Sequence, residues 1–423
     1  MLTRRTKKGD DPMQPSHRRT VRTFAGVSAL VWALSATVVA GPGLDHTHWF
    51  ASVVHEYTPA PGQFVNLPGA DGTYFNDPAA ALGPPVGGGT LSADNSAVVT
   101  LGGFGGTIVL GFADTVWDDP CNPMGLDAIV FTNAFWVSGN PNRRWAEAAV
   151  IEISRDVNGN GLPDDPWYVI PGSHLPAAPS SVLRTQAWDN DPNTPTPPTN
   201  INWYPAPPHF PGFPDAYTTQ GYELPSLFTQ SILTNPNGLS ATVEGVWGYG
   251  GLSPTLLLGD MSGATGNSAH DNRLDQPEDL PGVDPAFFYT TPDDPFTVGV
   301  SPGSGGGDAF DIAWAVDPET GAPANLDGFD FIRLRTGVDA LAGPGGVLGE
   351  ISMEVAGVAR VRARSPLAGD ANGDGVVDFE DLALLLGQFG QSGECLAGDL
   401  NGDGVVDFAD LAMVLANFGT DIH

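Results

Sequence analysis

GDANGDGVVDFEDLALLLGQFG (369–390) and GDLNGDGVVDFADLAMVLANFG (398–419) decide how the end of this 423-residue chain folds. Sixteen of the 22 positions are identical, at an offset of 29 residues. Asp370, Asn372, Asp374, Asp378 and Asp381 fall at positions 1, 3, 5, 9 and 12 of a loop, and Asp399, Asn401, Asp403, Asp407 and Asp410 repeat the pattern. Gly375 and Gly404 hold position 6, where the chain must turn sharply, and Val376 and Val405 hold position 7, where a backbone carbonyl serves as ligand. Hard oxygen donors at this spacing select calcium, which accepts six to eight oxygens in irregular geometry. Two calcium sites are expected.

An apolar stripe follows each loop: Leu382, Leu385, Leu386 and Phe389 in one copy, Leu411, Val414, Leu415 and Phe418 in the other. The i, i+3, i+4, i+7 spacing predicts helices over Leu382–Phe389 and Leu411–Phe418 that pack together into a small core. Gly390 and Gly419 mark their ends. The loop is of the EF-hand type, but no entering helix precedes it, since VRARSPLA (361–368) is short and broken by proline. Position 12 is Asp, not Glu. Loop plus exiting helix, doubled, with Asp at position 12, resembles the type I dockerin module over about 369–420. The resemblance implies calcium-dependent folding and docking onto a cohesin-like partner. Positions 10 and 11, which help choose that partner in the family and are often Ser or Thr there, are Phe379–Glu380 and Phe408–Ala409 here. Phe379 and Phe408 are therefore candidate partner-surface residues. The GDxNGDGVVDFxDL style also resembles C-terminal modules of secreted planctomycete-type proteins, which leaves another cell-envelope partner open.

Arg18, Arg19 and Arg22 precede an apolar run, Phe24–Val39, with Val38 and Ala40 suited to a cleavage site. Residues 1–40 read as a signal peptide, too short to span a bilayer, so no transmembrane segment is expected after cleavage and the protein is expected outside the cell or on its surface. The net charge is −32, and both lysines lie within the first 40 residues. Such an acidic chain disfavours nucleic acid and anionic membrane as partners. Cys121 and Cys395 fall in different expected domains and read as unpaired thiols.

Between 41 and 360 short apolar runs alternate with Gly- and Pro-rich turns. Ala97–Leu101, Thr107–Phe112, Asp127–Asn133, Ala148–Ser154, Thr242–Trp247, Phe310–Val316, Phe329–Arg335 and Ile351–Val361 read as strands. The fold class is mainly β, a jelly roll or β-sandwich, with a Pro-rich insertion at about 171–240, a linker at 361–368 and the small helical calcium module at 369–423. EYTPAPGQFVN (56–66), LGGFGGTIVLGF (101–112), DVNGNGLPDDPWY (156–168), LDGFDFIRLRTGV (326–338) and GEISMEVAGV (349–358) resemble an uncharacterised set of secreted bacterial β-sandwich surface proteins, a likeness that carries no reaction with it. In the third of these stretches Asp156, Asn158, Asn160, Leu162 and Asp164 sit at positions 1, 3, 5, 7 and 9 with Gly161 at 6, but position 12 is Trp167. A third calcium is expected there if Asp165 or a distant carboxylate completes the shell; the alternative is an Asx-rich hairpin turn.

GGFGG (102–106) lacks the Lys and helix of a phosphate loop and reads as a turn. His270–Asp271 and Asp275–Asp279 read as a solvated acidic loop. Trp117, Trp136, Trp145, Trp203 and Tyr204 are candidates for stacking on sugars, though core packing is the commoner use of such residues. No G-x-S-x-G elbow is present. Three functions are expected in descending order: a non-catalytic secreted calcium-binding surface protein whose β-sandwich binds glycan or protein, a structural cell-envelope component, and a tethered polysaccharide-degrading hydrolase or lyase.

Overall fold

The computed structural model describes residues 48–420 except 63, 66–67, 69–71, 190–215, 230–231, 235–244, 258–287, 302–303, 341–349, 362–367, 373–375, 394 and 402. The chain is mainly β, with two α-helices among the described residues. Its strands are β1 (Val53–Thr58), β2 (Val99–Thr100), β3 (Thr107–Trp117), β4 (Ala128–Thr132), β5 (Phe135–Trp136), β6 (Arg143–Trp145), β7 (Ala149–Ser154), β8 (Trp167–Val169), β9 (Leu183–Asp189), β10 (Ala216–Tyr222), β11 (Ile232–Thr234), β12 (Tyr249–Gly250), β13 (Asp308–Phe310), β14 (Gly328–Thr336) and β15 (Glu354–Arg360).

Two antiparallel sheets carry the architecture, one in the order β1-β3-β14-β7-β12 with β8 on β7, the other β13-β4-β15-β2. They face each other across a shared core. Ile108, Leu110, Ile151, Ile153, Ile332 and Leu334 of the larger sheet and Ala128, Val130, Val355, Val358 and Phe310 of the smaller one form a single buried cluster. The period of two sends alternate residues outward. Outward on β4 means a second buried layer: Ile129 and Phe131 pack with Leu256, Phe288 and Tyr289. Outward on β7, Val150 joins Tyr222, Phe228 and Tyr249. Covering on both faces explains why AIVFT and EVAGVAR read as almost unbroken apolar runs rather than clean alternation.

Glu152 is the exception on the outer face of β7. It is 2 % exposed, and Arg333 and Arg335 of β14 meet it across the register at 2.5 and 3.0 Å. Tyr222 also donates to it. Burial alone would raise its pKa, but the two guanidinium groups outweigh that and hold it at about 2.

Several expected elements move. Of the strand read over Thr242–Trp247, residues 242–244 lie outside the described residues and 245–247 form no strand; Gly248 turns at φ +79°, and Tyr249–Gly250 then pairs with β7. Phe310–Val316 is a strand only to Phe310; Asp311 then caps a 3-10 turn, Ile312–Trp314, by accepting from the Ala313 N–H at 2.7 Å. The Pro-rich insertion contains regular structure: β9 pairs with β10, and β11 pairs with β6. GGFGG is a turn, with Gly102 and Gly105 at φ +70° and +78°. β1 was not anticipated; its half-buried residues pair along β3. No helix of the described residues is long and apolar enough to cross a membrane.

Candidate functional site

The two helices begin earlier than the apolar stripes suggest, at Phe379–Gln388 and Phe408–Asn417. The cause lies in the loops. Asp378 and Asp407 cap the helices, and Asp381 and Asp410 answer from the third helical position, so each loop ends in a reciprocal capping box. Position 12 does more than cap. Asp381 and Asp410 are fully buried. Asp381 Oδ1 accepts from the N–H groups of Ala371 and Asn372 at 2.8 and 3.1 Å, and Oδ2 from Asp378 at 2.8 Å. Asp410 repeats the pattern with Leu400, Asn401 and Asp407 at 2.8, 3.1 and 2.8 Å. Three of the roughly four lone-pair positions of each carboxylate thus hold the loop closed on its helix.

At the front of the second loop, Asp399 accepts from Asp403 and Gly404 N–H at 3.1 and 2.8 Å, Asn401 Oδ1 from Asp403 N–H at 2.8 Å, and Asp403 Oδ1 from Val405 N–H at 3.0 Å. Gly404 takes φ +85°, as position 6 demands. Asp370 and Asp399 are each 4 % exposed. Asp374 lies outside the described residues. The segment 369–423 contains eleven acidic residues and no lysine or arginine, so its buried carboxylates have no basic residue of their own segment to neutralise them. An all-oxygen donor set of buried carboxylates, in a segment without lysine or arginine, fits calcium.

The repeats interlock. Val377, at position 8 of the first loop, pairs by backbone with Gly419 and Thr420 beyond the second helix, at 2.7 and 2.9 Å. Val406, its equivalent, pairs with Gly390 and Gln391 beyond the first helix, at 2.8 and 3.0 Å. Val377, Val406, Leu385 and Val414 form the buried core. This corrects the expected stripe: Leu386 and Leu415 are exposed, and the loop valines take their place. Phe379 and Phe408 are 74 % and 75 % exposed. Each stands edge-on to the aromatic ring ending the other helix, Phe418 at 4.9 Å and Phe389 at 5.1 Å, which gives two matching aromatic pairs.

The loop between β7 and β8 carries the same bond network in fewer residues. Asp156 accepts from Gly159, Asn160 and Gly161 N–H at 2.7, 3.1 and 2.8 Å. Asn158 Oδ1 takes Asn160 N–H, and Asn160 Oδ1 takes Leu162 N–H. Asp165 Oδ2 accepts from Val157 and Asn158 N–H at 3.0 and 3.5 Å, the role Asp381 and Asp410 play from position 12. Asp164 accepts from the Asn158 and Asn160 amides. The three N–H bonds, Gly161 foremost, lower the Asp156 pKa. The Asx-turn network and the hairpin of β7 with β8 coexist, and the loop is exposed from Val157 to Leu162, with Asp156 and Asp165 half-buried.

A cavity of about 670 Å³ opens beside β5 and β6. Phe135 and Trp145 stack at 6.0 Å and 8° on its wall, and Phe64 and Phe75 stack at 4.3 Å. Glu147, Glu350 and Glu354 also line it. Glu147 and Glu354 are 7 % and 4 % exposed and hydrogen-bonded to one another. Asn133 Nδ2 donates to Glu354 Oε2 at 2.6 Å and Ser352 to Oε1 at 3.0 Å. Burial, then the charge of Glu354, raises Glu147 well above the ordinary carboxylate value; burial raises Glu354 as well. Nothing in the spacing of the sequence pointed to this pair, because residues 147 and 354 are 207 positions apart.

Of the aromatic candidates, Trp145 lines this cavity, Trp136 is buried and Trp117 is 54 % exposed with Arg155 over its ring. Trp203, Tyr204, His270, Asp271 and Asp275–Asp279 lie outside the described residues. Cys121 and Cys395 are not free thiols: they form a disulfide with Cα atoms 4.9 Å apart. The bond joins residues 274 positions apart, one in the turn after β3 and one between the two loop-helix repeats.

The chain matches no protein-family model and no curated protein sequence. Among solved structures, it is similar to a type II cohesin-dockerin domain from Bacteroides cellolosolvens, at 39 % identity over 13 % of this chain and 90 % of that one, with a TM-score of 0.12.

Proposed function

We propose that this is an exported calcium-binding protein whose jelly-roll-type β-sandwich holds a saccharide in the acidic aromatic cavity and whose C-terminal dockerin-like module, folded around two calcium ions, docks to a cohesin-like or other envelope protein. The observation that carries the calcium reading is the pair of loops in 369–419, alike in sequence and in the hydrogen bonds of their closing aspartates, which bury Asp370 and Asp399 without a basic residue in the segment. Asp370, Asn372, Asp374, Asp378 and Asp381, with the Val376 carbonyl, would hold one ion. Asp399, Asn401, Asp403, Asp407 and Asp410, with the Val405 carbonyl, would hold the other. Bound calcium would supply positive charge to a segment that carries no lysine or arginine. The 156–165 loop, with its matching network, is a third candidate through Asp156, Asn158, Asn160, Asp164 and the Leu162 carbonyl. A disulfide favours an oxidising compartment and hence export. Phe379 and Phe408, exposed on neighbouring helices, are the docking residues in this reading.

Binding is favoured over hydrolysis by the carboxyl pair. Glycosidases that retain or invert configuration separate their two carboxyl groups by about 5 Å or more. Glu147 and Glu354 are in direct hydrogen-bond contact, which suits them to receive sugar hydroxyls beside the Trp145 and Phe135 faces. The decisive experiment is hydrogen–deuterium exchange on the full chain with and without chelator. Calcium should protect amides in 379–388 and 408–417, and chelation should remove that protection. Helices equally protected in chelator would overturn the calcium reading. Release of reducing ends from a polysaccharide, abolished by Glu354→Gln, would overturn the non-catalytic one.

A further inference from the structure

The turn between β3 and β4 brings a second set of oxygen donors together, away from the repeats in sequence. One carboxylate oxygen from each of Asp118, Asp127 and Asp311 lies within 4.8 Å of the others. Asp127 is fully buried. Its Oδ1 accepts from Asp119 N–H at 3.0 Å and Asn122 Nδ2 at 2.8 Å, and its Oδ2 from Ile312 N–H at 2.9 Å, which leaves Oδ2 one lone pair. Asp311 uses Oδ1 to cap its 3-10 turn. The Asp118 carboxylate has no hydrogen-bond or ion-pair partner among the described residues, and none of the three acids pairs with an arginine, lysine or histidine among them.

Asn122 supplies an independent pointer. It is 7 % exposed, and its Oδ1 is buried with no hydrogen-bond partner. An orphaned buried acceptor costs about 1–3 kcal/mol, so such atoms ordinarily find a partner. Its Nδ2 donates to Asp127 at 2.8 Å, so the orphaned oxygen stands on an amide already bonded to the carboxylate cluster.

We propose that Asp118, Asp127, Asp311 and the Asn122 amide oxygen bind one divalent cation of the calcium class. Every donor is a hard oxygen. Oxygens on one calcium stand up to about 4.8 Å apart, twice a bond of roughly 2.4 Å, so the three carboxylate oxygens lie close enough to share one ion. The site also has a structural consequence. Cys121 lies between Asp118 and Asn122, and its disulfide partner Cys395 lies between the two calcium repeats. The cation thus fastens the turn to which the C-terminal segment is covalently tied.

The test counts ions by native mass spectrometry on the full, oxidised chain saturated with calcium. Asp118→Asn/Asp311→Asn, at two half-buried positions, should carry one ion fewer than the parent. Asp370→Asn/Asp399→Asn should keep the ion at Asp127 while losing tail ions, so the two assignments fail separately. A single Asp118→Asn chain, the milder change, should need at least tenfold more free calcium to fill the same site. An unchanged ion count in the double variant, together with an unchanged calcium requirement in the single one, overturns the proposal.

Discussion

Asp410→Ala tests whether the two calcium repeats fold as one body. The carboxylate accepts three backbone N–H bonds from positions 2, 3 and 9 of its loop and is fully buried. Its removal leaves three donors without that acceptor, at about 1–3 kcal/mol each, or roughly 3–9 kcal/mol together. A segment of some 55 residues is stabilised by only about 3–8 kcal/mol at ordinary values per residue. The substitution therefore removes most or all of the segment's stability. The interlock then decides where the damage goes. Melting the second helix frees Gly419 and Thr420, which hold Val377 of the first loop. The first helix, untouched in sequence, should lose protection as well. Hydrogen–deuterium exchange of the full chain in calcium reads both: peptides covering 379–388 and 408–417 should exchange together in the variant, while β4, β7 and β14 stay protected. Asp410→Asn, which keeps one acceptor oxygen, should fall between. If 379–388 stays protected while 408–417 exchanges, the repeats are independent and the reasoning fails.

Glu152→Gln should lower stability at pH 7 by about 3 kcal/mol, the linkage value of a shift from 4.5 to about 2. Because the folded pKa is depressed, that contribution is present above about pH 4.5 and lost as pH falls through about 2, so melting curves of parent and variant should converge at the acid end. Glu147→Gln should act in the opposite sense. The folded pKa is raised, so the native pair costs stability once pH exceeds the ordinary glutamate value, and the variant should melt higher than the parent at pH 8 but not at pH 4. Phe379→Ser/Phe408→Ser should change stability by only about 1–3 kcal/mol, the worth of two edge-on ring pairs, while abolishing calcium-dependent capture of a partner. Capture at full strength by that variant would move the docking surface elsewhere. Trp145→Ala should weaken saccharide binding at least tenfold by titration calorimetry, since it removes a wall of the cavity.

The duplicated loops were legible because their Asp, Asn and Gly residues recur position by position, and the structure gives both the same capping and closing hydrogen bonds. Spacing could not separate ligand from scaffold: Asp381 and Asp410 read as closing ligands, yet most of their acceptor capacity goes to backbone N–H groups. The helix starts were missed because the stripes were counted from Leu382 and Leu411, whereas capping by Asp378 and Asp407 starts each helix three residues earlier, at Phe379 and Phe408. In the β domain the central strands β3, β4, β7 and β14 were readable from their β-branched and apolar runs. β1 was not, since its residues are only half-buried and two of them, His55 and Glu56, interrupt the pattern. The Glu147–Glu354 pair and the Cys121–Cys395 bond depend on contacts across 207 and 274 positions, for which local sequence holds no signal.

The disulfide changes what a proteolytic cut can do to this protein. Any single break of the backbone between residues 122 and 394, the Pro-containing 361–368 linker included, leaves both fragments in one covalent body. The C-terminal calcium segment cannot be shed by clipping its linker alone; release requires a reductant as well. On a gel, nicked protein should run as one species until reduced and as two afterwards, so whatever the tail holds onto stays joined to the sandwich in a protease-rich surrounding.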